Sequence, residues 1–384
     1  MIAYVAAAVA ALPWVLIPWL AIARAKRSRT LAEERDTPPS PAPHVSIVVP
    51  ARDERRNIAR CVRGILSSTY PDFDVIVVDD HSSDGTGEIA RAIAASDARL
   101  RVLESPALPD GWFGKQWACA TGASVARGEL LCFTDADTEH ASELLTRAVN
   151  ALRSRPADLL SVAGVQELSS FWERVVQPQI FFVLVMRYGS TEAVGAAKRA
   201  EDVIANGQFL LVRRDAYDAV GGHTAVRDKV AEDLALGQKF FRAGNRVAMV
   251  LAPQYLTTHM YASLAELVRG WRKNVYAGGR DAVPRQARLL IPFALLLPPL
   301  AALAPVVSLA LALAGVVTGA WLLWSAVSVA ATVFWWLVLY GYVREPRWYA
   351  FLYPVGALVV LYIMIGALAR GDRVSWKGRR YRSA

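Results

Sequence analysis

The chain has 384 residues, 54% of them hydrophobic, with twelve Trp and a formal net charge of +9. That is more apolar sequence than one soluble core can bury, and much of the charge flanks apolar runs, which points to membrane phosphates rather than nucleic acid. Cys61, Cys119 and Cys132 lack CxxC spacing and no His pair has zinc-ligand spacing, so a disulfide scaffold and a zinc site are both excluded.

Residues 2–23 carry no charge and are long enough to span a bilayer, and Arg24, Lys26, Arg27 and Arg29 follow at once. A signal peptide would place its charges before the apolar run. Residues 1–24 therefore read as an uncleaved anchor, with the sequence beyond it cytoplasmic by the positive-inside rule. Residues 25–44, basic and then Pro-rich, form a stiff linker.

From Val45 the pattern is α/β. Strands are predicted at Val45–Pro50, Asp74–Asp79, Leu100–Leu103, Leu130–Thr134, Leu159–Gly164, Gln208–Val212 and Arg246–Leu251. Helical stretches lie between them at Glu54–Ser67, Gly85–Ala95, Lys115–Ala126, Glu139–Arg153 and Glu232–Phe241. Such alternation implies a largely parallel sheet that binds ligands at the carboxyl ends of its strands. Phe171–Tyr188 is rich in aromatic residues. Ser263–Tyr276 places apolar residues on one side and Arg269, Arg272 and Lys273 on the other, as a helix on a membrane surface or on the domain's own core would.

Residues 289–343 are almost uninterrupted apolar sequence, and 348–369 form a further span. The tail, 370–384, has six basic residues and one acidic, which favours the cytoplasmic side. A cytoplasmic domain and a cytoplasmic tail require an even number of C-terminal crossings. Either 289–343 crosses three times, then, or a segment near Pro298-Pro299 is re-entrant.

Leu130–Thr138, LLCFTDADT, is the central chemical feature. Residues i and i+2 at a strand end point the same way, so Asp135 and Asp137 converge, and a divalent cation relieves their repulsion. The plainer alternative is a solvated turn before a helix. VSIVVPARDE (45–54) and DVIVVDDHSSDGT (74–86) likewise end buried strands in carboxylates suited to sugar hydroxyls or base N–H groups, although capping and turn chemistry explain part of the second. Gly85–Ala90 matches the dinucleotide-binding G-x-G-x-x-G/A pattern, but Asp79, Asp80 and Asp84 crowd a loop that would have to accept pyrophosphate. Lys115, opening a helix after a glycine turn beside Trp112 and Trp117, suits a phosphate. Glu232 and Asp233 start another helix, where acids favour the dipole or supply a general base.

These motifs, in this order, resemble the membrane-bound family 2 glycosyltransferases. LPDGWFGKQWA (108–118), GWRKN (270–274) and WKGRRY (376–381) narrow the resemblance to bacterial hopanoid-associated and carotenoid glycosyltransferases. The resemblance covers about 45–281, with weaker support through the tail. It implies an α/β fold of the GT-A nucleotide-diphospho-sugar transferase type over 45–285, with transmembrane helices at 1–24 and within 286–369. By that resemblance Ala51, Asp53, Glu54 and Asp80 hold the nucleoside and Lys115 lies near the diphosphate. Asp135 contacts ribose or metal, Asp137 binds Mg²⁺ or Mn²⁺, and Asp233 is the base. Glu232, Arg269, Trp271 and Arg272 fall on the acceptor or diphosphate side. Processive relatives carry QxxRW. Here Glu266 replaces the Gln, and Gly270 separates Arg269 from Trp271, which argues against polymer synthesis.

The expected activity is inverting transfer of one sugar from a nucleotide diphosphate sugar, such as a UDP-sugar, to a membrane lipid at the cytoplasmic face of a bacterial inner membrane. Transfer to polyprenyl phosphate or a growing polysaccharide is the alternative within the class. A nicotinamide oxidoreductase or a non-catalytic membrane scaffold is the alternative outside it.

Overall fold

The computed structural model describes residues 1–371, 373–376 and 379–382. The chain forms two compact units that do not follow its order. One comprises Met1–Arg27, Leu168–Ser190 and Tyr261–Gly371, and the other Ser28–Glu167, Thr191–Met260 and the tail after Gly371.

The second unit is α/β. Its strands are β1 (Val45–Ala51), β2 (Phe73–Asp79), β3 (Leu100–Glu104), β4 (Leu130–Thr134), β5 (Thr138–His140) and β6 (Leu159–Ala163). They continue with β7 (Val165–Gln166), β8 (Phe209–Arg213), β9 (Val247–Leu251), β10 (Leu256–Thr258) and the tail pair β11 (Arg373–Trp376) and β12 (Arg379–Arg382). Seven form the main sheet in the order β3-β2-β1-β4-β8-β6-β9. The sheet is largely parallel, as expected, with one exception: β8 runs antiparallel to both β4 and β6. The inner strands β1, β2 and β4 are apolar and buried almost throughout, as strands covered on both faces must be.

The chain leaves β1 for β2 and β3 on one side, then crosses to β4 on the other, so the strand order reverses between β1 and β4. Pairing of β1 with β4 stops at Val48↔Phe133, whereas pairing with β2 continues to Ala51↔Asp79. Beyond Val48 the two strands have parted and Pro50 needs no N–H towards β4. A crevice at such a switch point is where open α/β sheets bind ligands.

A small second sheet, in the order β5-β10-β7, lies beside the Asp135–Asp137 loop. Here the expected helix start at Glu139 is wrong. Residues 138–140 pair antiparallel with 256–258, and the helix begins only at Leu144. A long-range ladder has overridden local helix preference.

The first unit is helical. Among the described residues, four helices are long and apolar enough to cross a membrane: Ile2–Ala25, Gln286–Leu313, Ala320–Tyr342 and Arg347–Arg370. Residues 289–343 thus form two long helices rather than three, and the first runs unbroken through Pro298 and Pro299. Neighbouring helices can re-satisfy backbone groups that proline frees. Helices Phe171–Tyr188 and Leu264–Asp281 belong to this unit, and Val175, Val176, Leu267 and Trp271 share its core with Tyr340, Ile363 and Met364. The basic amphipathic helix therefore turns its apolar side inward and leaves Arg269 exposed.

Candidate active site

At the carboxyl end of the β1–β4 crevice, charged side chains meet around Lys115. Its ammonium lies 2.7 Å from Asp135 Oδ1 and 2.5 Å from Glu232 Oε1. Burial opposes the ammonium's charge, but Asp135, Glu232 and Asp233 outweigh it and hold the pKa well above its ordinary value. Phe113 N–H donates to the Arg227 carbonyl at 2.9 Å, and the Gln116 side chain donates to the Lys229 carbonyl. These bonds tie the start of helix Gly114–Val125 to the loop before helix Glu232–Arg242. Residues separated by more than a hundred positions are brought together in this way.

Asp233 adjoins the cluster across Gly207. A Cβ on Gly207 would lie 3.1 Å from Lys115 Nζ and 3.2 Å from Asp233 Oδ2. The Gly207 N–H donates to Asp233 Oδ2 at 2.7 Å and the Leu234 N–H donates to Oδ1 at 2.8 Å. Burial, reinforced by the Glu232 charge, raises the Asp233 carboxyl to about 6, with Lys115 and the two N–H donors pulling the other way. The buried histidines His140 and His223 are not competing bases at neutral pH, because burial pushes His140 down to about 3 and His223 down to about 4. His140 instead anchors the loop. Its Nε2 lies 3.0 Å from the hydroxyls of both Thr134 and Thr138, and Thr138 donates to the Asp135 carbonyl at 2.7 Å.

The strand-end argument for Asp135 and Asp137 does not hold. Strand β4 stops at Thr134, and the two aspartates occupy a turn closed by Thr138 N–H on the Asp135 carbonyl. Asp135 meets Lys115, while the Asp137 carbonyl accepts the His259 N–H at 3.0 Å. Among the described residues no three His, Cys, Asp or Glu side chains form a metal cage. Two half-buried carboxylates are nonetheless a suitable donor set for Mg²⁺ or Mn²⁺ acting on a diphosphate. Such ions take one or two protein carboxylates and complete their shell with phosphate oxygens and water.

The β1 and β2 loops lie side by side. Ala51 pairs with Asp79, and its carbonyl accepts the Asp80 N–H at 2.8 Å. Asp53, at φ 52°, accepts the Ser83 N–H at 2.9 Å, and the Glu54 N–H donates to Thr86 Oγ1 at 2.7 Å. Both acids thus help to knit the loops together. Asp80, only 2% exposed, receives the Ser105 hydroxyl on Oδ1 at 3.1 Å and Arg379 Nη1 on Oδ2 at 2.5 Å. Arg52 donates to its carbonyl at 2.5 Å. Neither Arg52 nor Ser105 was singled out from sequence, although Arg52 sits inside the ARDE motif. Of the WKGRRY segment, Lys377 and Gly378 lie outside the described residues.

The dinucleotide alternative fails on geometry. A Cβ on Gly87 would collide with Asp79 Oδ2, so the space that glycine leaves is filled by a carboxylate where pyrophosphate would have to approach. Arg269, Trp271 and Arg272 are not among the residues this unit gathers. Trp271 is 7% exposed in the helical unit's core, and Arg272 lies 4.2 Å from the Tyr362 ring centre. The three cysteines are buried and free, as expected, with burial pushing Cys61 up to about 12.

A switch-point crevice lined by acids, a half-buried lysine and a tuned carboxylate is where an α/β sheet of this kind takes a ligand. Residues 46–221 match glycosyl transferase family 2. Among characterised relatives, the 4,4'-diaponeurosporenoate glycosyltransferase of Staphylococcus haemolyticus is 26% identical over 250 residues, 64% of this chain and 65% of the relative. Its counterpart in Staphylococcus aureus is 27% identical over 63% of each chain. The chain thus matches just under two thirds of these relatives' length. Mannosyltransferase PcManGT from Pyrobaculum calidifontis, solved with GDP-Man and Mn²⁺, shares the fold with TM-score 0.59 and 21% identity, over 96% of this chain and 97% of its own.

Proposed function

We propose that the chain transfers a single sugar, with inversion, from a nucleoside diphosphate sugar to a membrane lipid hydroxyl or carboxyl. The observation that carries this reading is Asp233, a half-buried carboxylate raised to about 6 beside a lysine held among acids at the sheet's switch point. Such a group is mostly ionised at neutral pH yet basic enough to take a proton. The carboxylate removes the acceptor's proton as its oxygen attacks the sugar's anomeric carbon. The bond to the diphosphate breaks, and the nucleoside diphosphate leaves. Backbone N–H groups of Gly207 and Leu234 fix the carboxylate's direction.

Lys115 supplies a cation for the diphosphate, with Ala51, Asp53, Glu54 and Asp80 on the nucleoside side. A divalent cation held by Asp135 and Asp137 would neutralise the departing diphosphate. The four long apolar helices and the names of the relatives support a lipid acceptor. We take residues 45–285 as the transferase region and Glu232 as part of its acceptor or diphosphate side. Arg24, Lys26, Arg27 and Arg29 favour a cytoplasmic active site.

The test uses purified full-length protein with UDP-glucose or GDP-mannose and a bacterial lipid extract, with Mn²⁺ or with chelator. A glycosylated lipid detected by mass spectrometry, with inverted anomeric configuration by NMR, is expected. Binding of neither donor under any condition would overturn the reading.

A further inference from the structure

The C-terminal tail is basic, and its described part is a hairpin in which Arg373 pairs with Arg382 and Trp376 with Arg379. Arg379 does not simply face solvent. Its guanidinium lies 2.5 Å from Asp80 Oδ2, in a side chain that keeps 22% exposure while the Asp80 side chain keeps 3%. A second guanidinium, Arg52, stands 3.9 Å from the same oxygen, and Ser105 occupies the other. A carboxylate so covered and so fully engaged is poorly placed to read a ligand itself. It is well placed to hold arginines that do.

Gly114 adds an independent constraint. A Cβ there would meet both Asp80 Oδ2 and Arg379 Nη1, so glycine as the first residue of the helix that carries Lys115 leaves room for this contact. The contact joins residues 299 positions apart, inside one compact unit. Arg379 therefore sits against the loops that the proposed donor site uses. Its planar fork of N–H donors suits phosphate oxygens better than a lysine would.

Resting on the donor-site reading above, we propose that the C-terminal hairpin is part of the donor site. In this arrangement Arg379 binds the diphosphate of the nucleotide, and Asp80 positions it. The role of Asp80 shifts from direct contact with the nucleoside to orientation of the arginines.

The experiment measures affinity of full-length protein in detergent for UDP and uridine, and for GDP and guanosine, in wild type, Arg379→Ala and Arg379→Lys. Arg379→Ala should weaken the diphosphate that the wild type binds by about tenfold and leave its nucleoside within about twofold. Arg379→Lys, which keeps the charge and tests whether the fold survives, should fall between. Unchanged diphosphate affinity in Arg379→Ala overturns the inference alone. So does an equal loss of nucleoside, which would make the arginine a prop for pocket shape. So does tighter binding, which would make the hairpin a plug. Failure of the wild type to bind either diphosphate removes the donor-site reading, and this inference falls with it.

Discussion

Replacing Asp233 with Asn keeps the shape of the side chain and removes its basicity. Raising a carboxyl from 3.8 to about 6 corresponds to a cost of about 3 kcal/mol for holding the charge in the folded state, an upper figure because Glu232 and Lys115 share the field. The sign follows from the direction of the shift. The folded protein binds this proton more tightly than the unfolded chain, so the stabilising effect is full below pH 3.8 and lost as pH rises through 6. Asn can accept only one of the Gly207 and Leu234 N–H groups, so the test is the trend: the stability of Asp233→Asn relative to wild type should rise from pH 4 to pH 8. Activity should move oppositely. Turnover at saturating donor should fall by about 10²–10⁴, donor affinity should survive, and the acid limb near pH 6 should vanish. Glu232→Gln is the comparison. It removes one of the two carboxylates on Lys115, so its main effect should fall on donor affinity rather than on proton transfer. Near-wild-type turnover in Asp233→Asn, or an acid limb that persists in it, would remove Asp233 from the mechanism. A phosphate acceptor, which needs no base, would give the first result.

Asp137→Ala should abolish metal-dependent strengthening of nucleotide binding, so that chelator weakens the wild type but scarcely alters the variant. Equal chelator sensitivity would return the loop to an ordinary turn. Gly114→Ala should weaken nucleoside diphosphate binding by about tenfold in a protein with unchanged circular dichroism, because the added methyl displaces Asp80 and Arg379 together. Binding at the wild-type level would show that the contact is dispensable. A cysteine placed at Ser383 should resist an impermeant thiol reagent applied to intact cells and react once the membrane is opened. Labelling from outside would put the tail on the far side.

The alternation of short apolar runs with helical stretches made the sheet's strands readable, and β1, β2 and β4 also end abruptly in charge. Strand β8 gave no sign of its direction, since FLLVR is equally apolar whichever way it runs. The switch to antiparallel there depends on partners on either side of it. Strand β5 was missed for a similar reason, as THE has no strand signature until residues 256–258 pair with it. In the site, the residue types at strand and helix ends were legible one motif at a time. What joins them was not. Lys115 and Glu232 meet through the backbone bond from Phe113 to Arg227, and Asp80 meets Arg379 through a hairpin at the far end of the chain. The WKGRRY segment stood out as a motif, but only folding placed its arginine on a carboxylate. The lysine's environment was legible only in part. It was expected to await phosphate, and it is held among acids instead.

The route of the chain constrains the membrane as strongly as its charges do. The α/β unit is folded from three separate stretches, so all three lie on one side of any bilayer the chain enters. The stretch between the first two, Leu168–Ser190, belongs to the helical unit. The stretch between the last two, Tyr261–Gly371, holds three helices long and apolar enough to span. A tail paired with Asp80 calls for an even number of crossings in that stretch, and the prediction is that one of the three helices does not complete a passage. The last differs from the others in two ways. Its α-helical part, Tyr353–Arg370, has 18 residues, about 27 Å of rise against a hydrocarbon core of about 30 Å. Its apolar window is 39% buried within the protein, against 17% and 11% for the two before it. A helix that short and that covered has less lipid to meet than its neighbours. The prediction is therefore a crossing pair, Gln286–Leu313 and Ala320–Tyr342, with the last helix not spanning, and the cysteine placed at Ser383 checks it: labelling from outside intact cells would refute it.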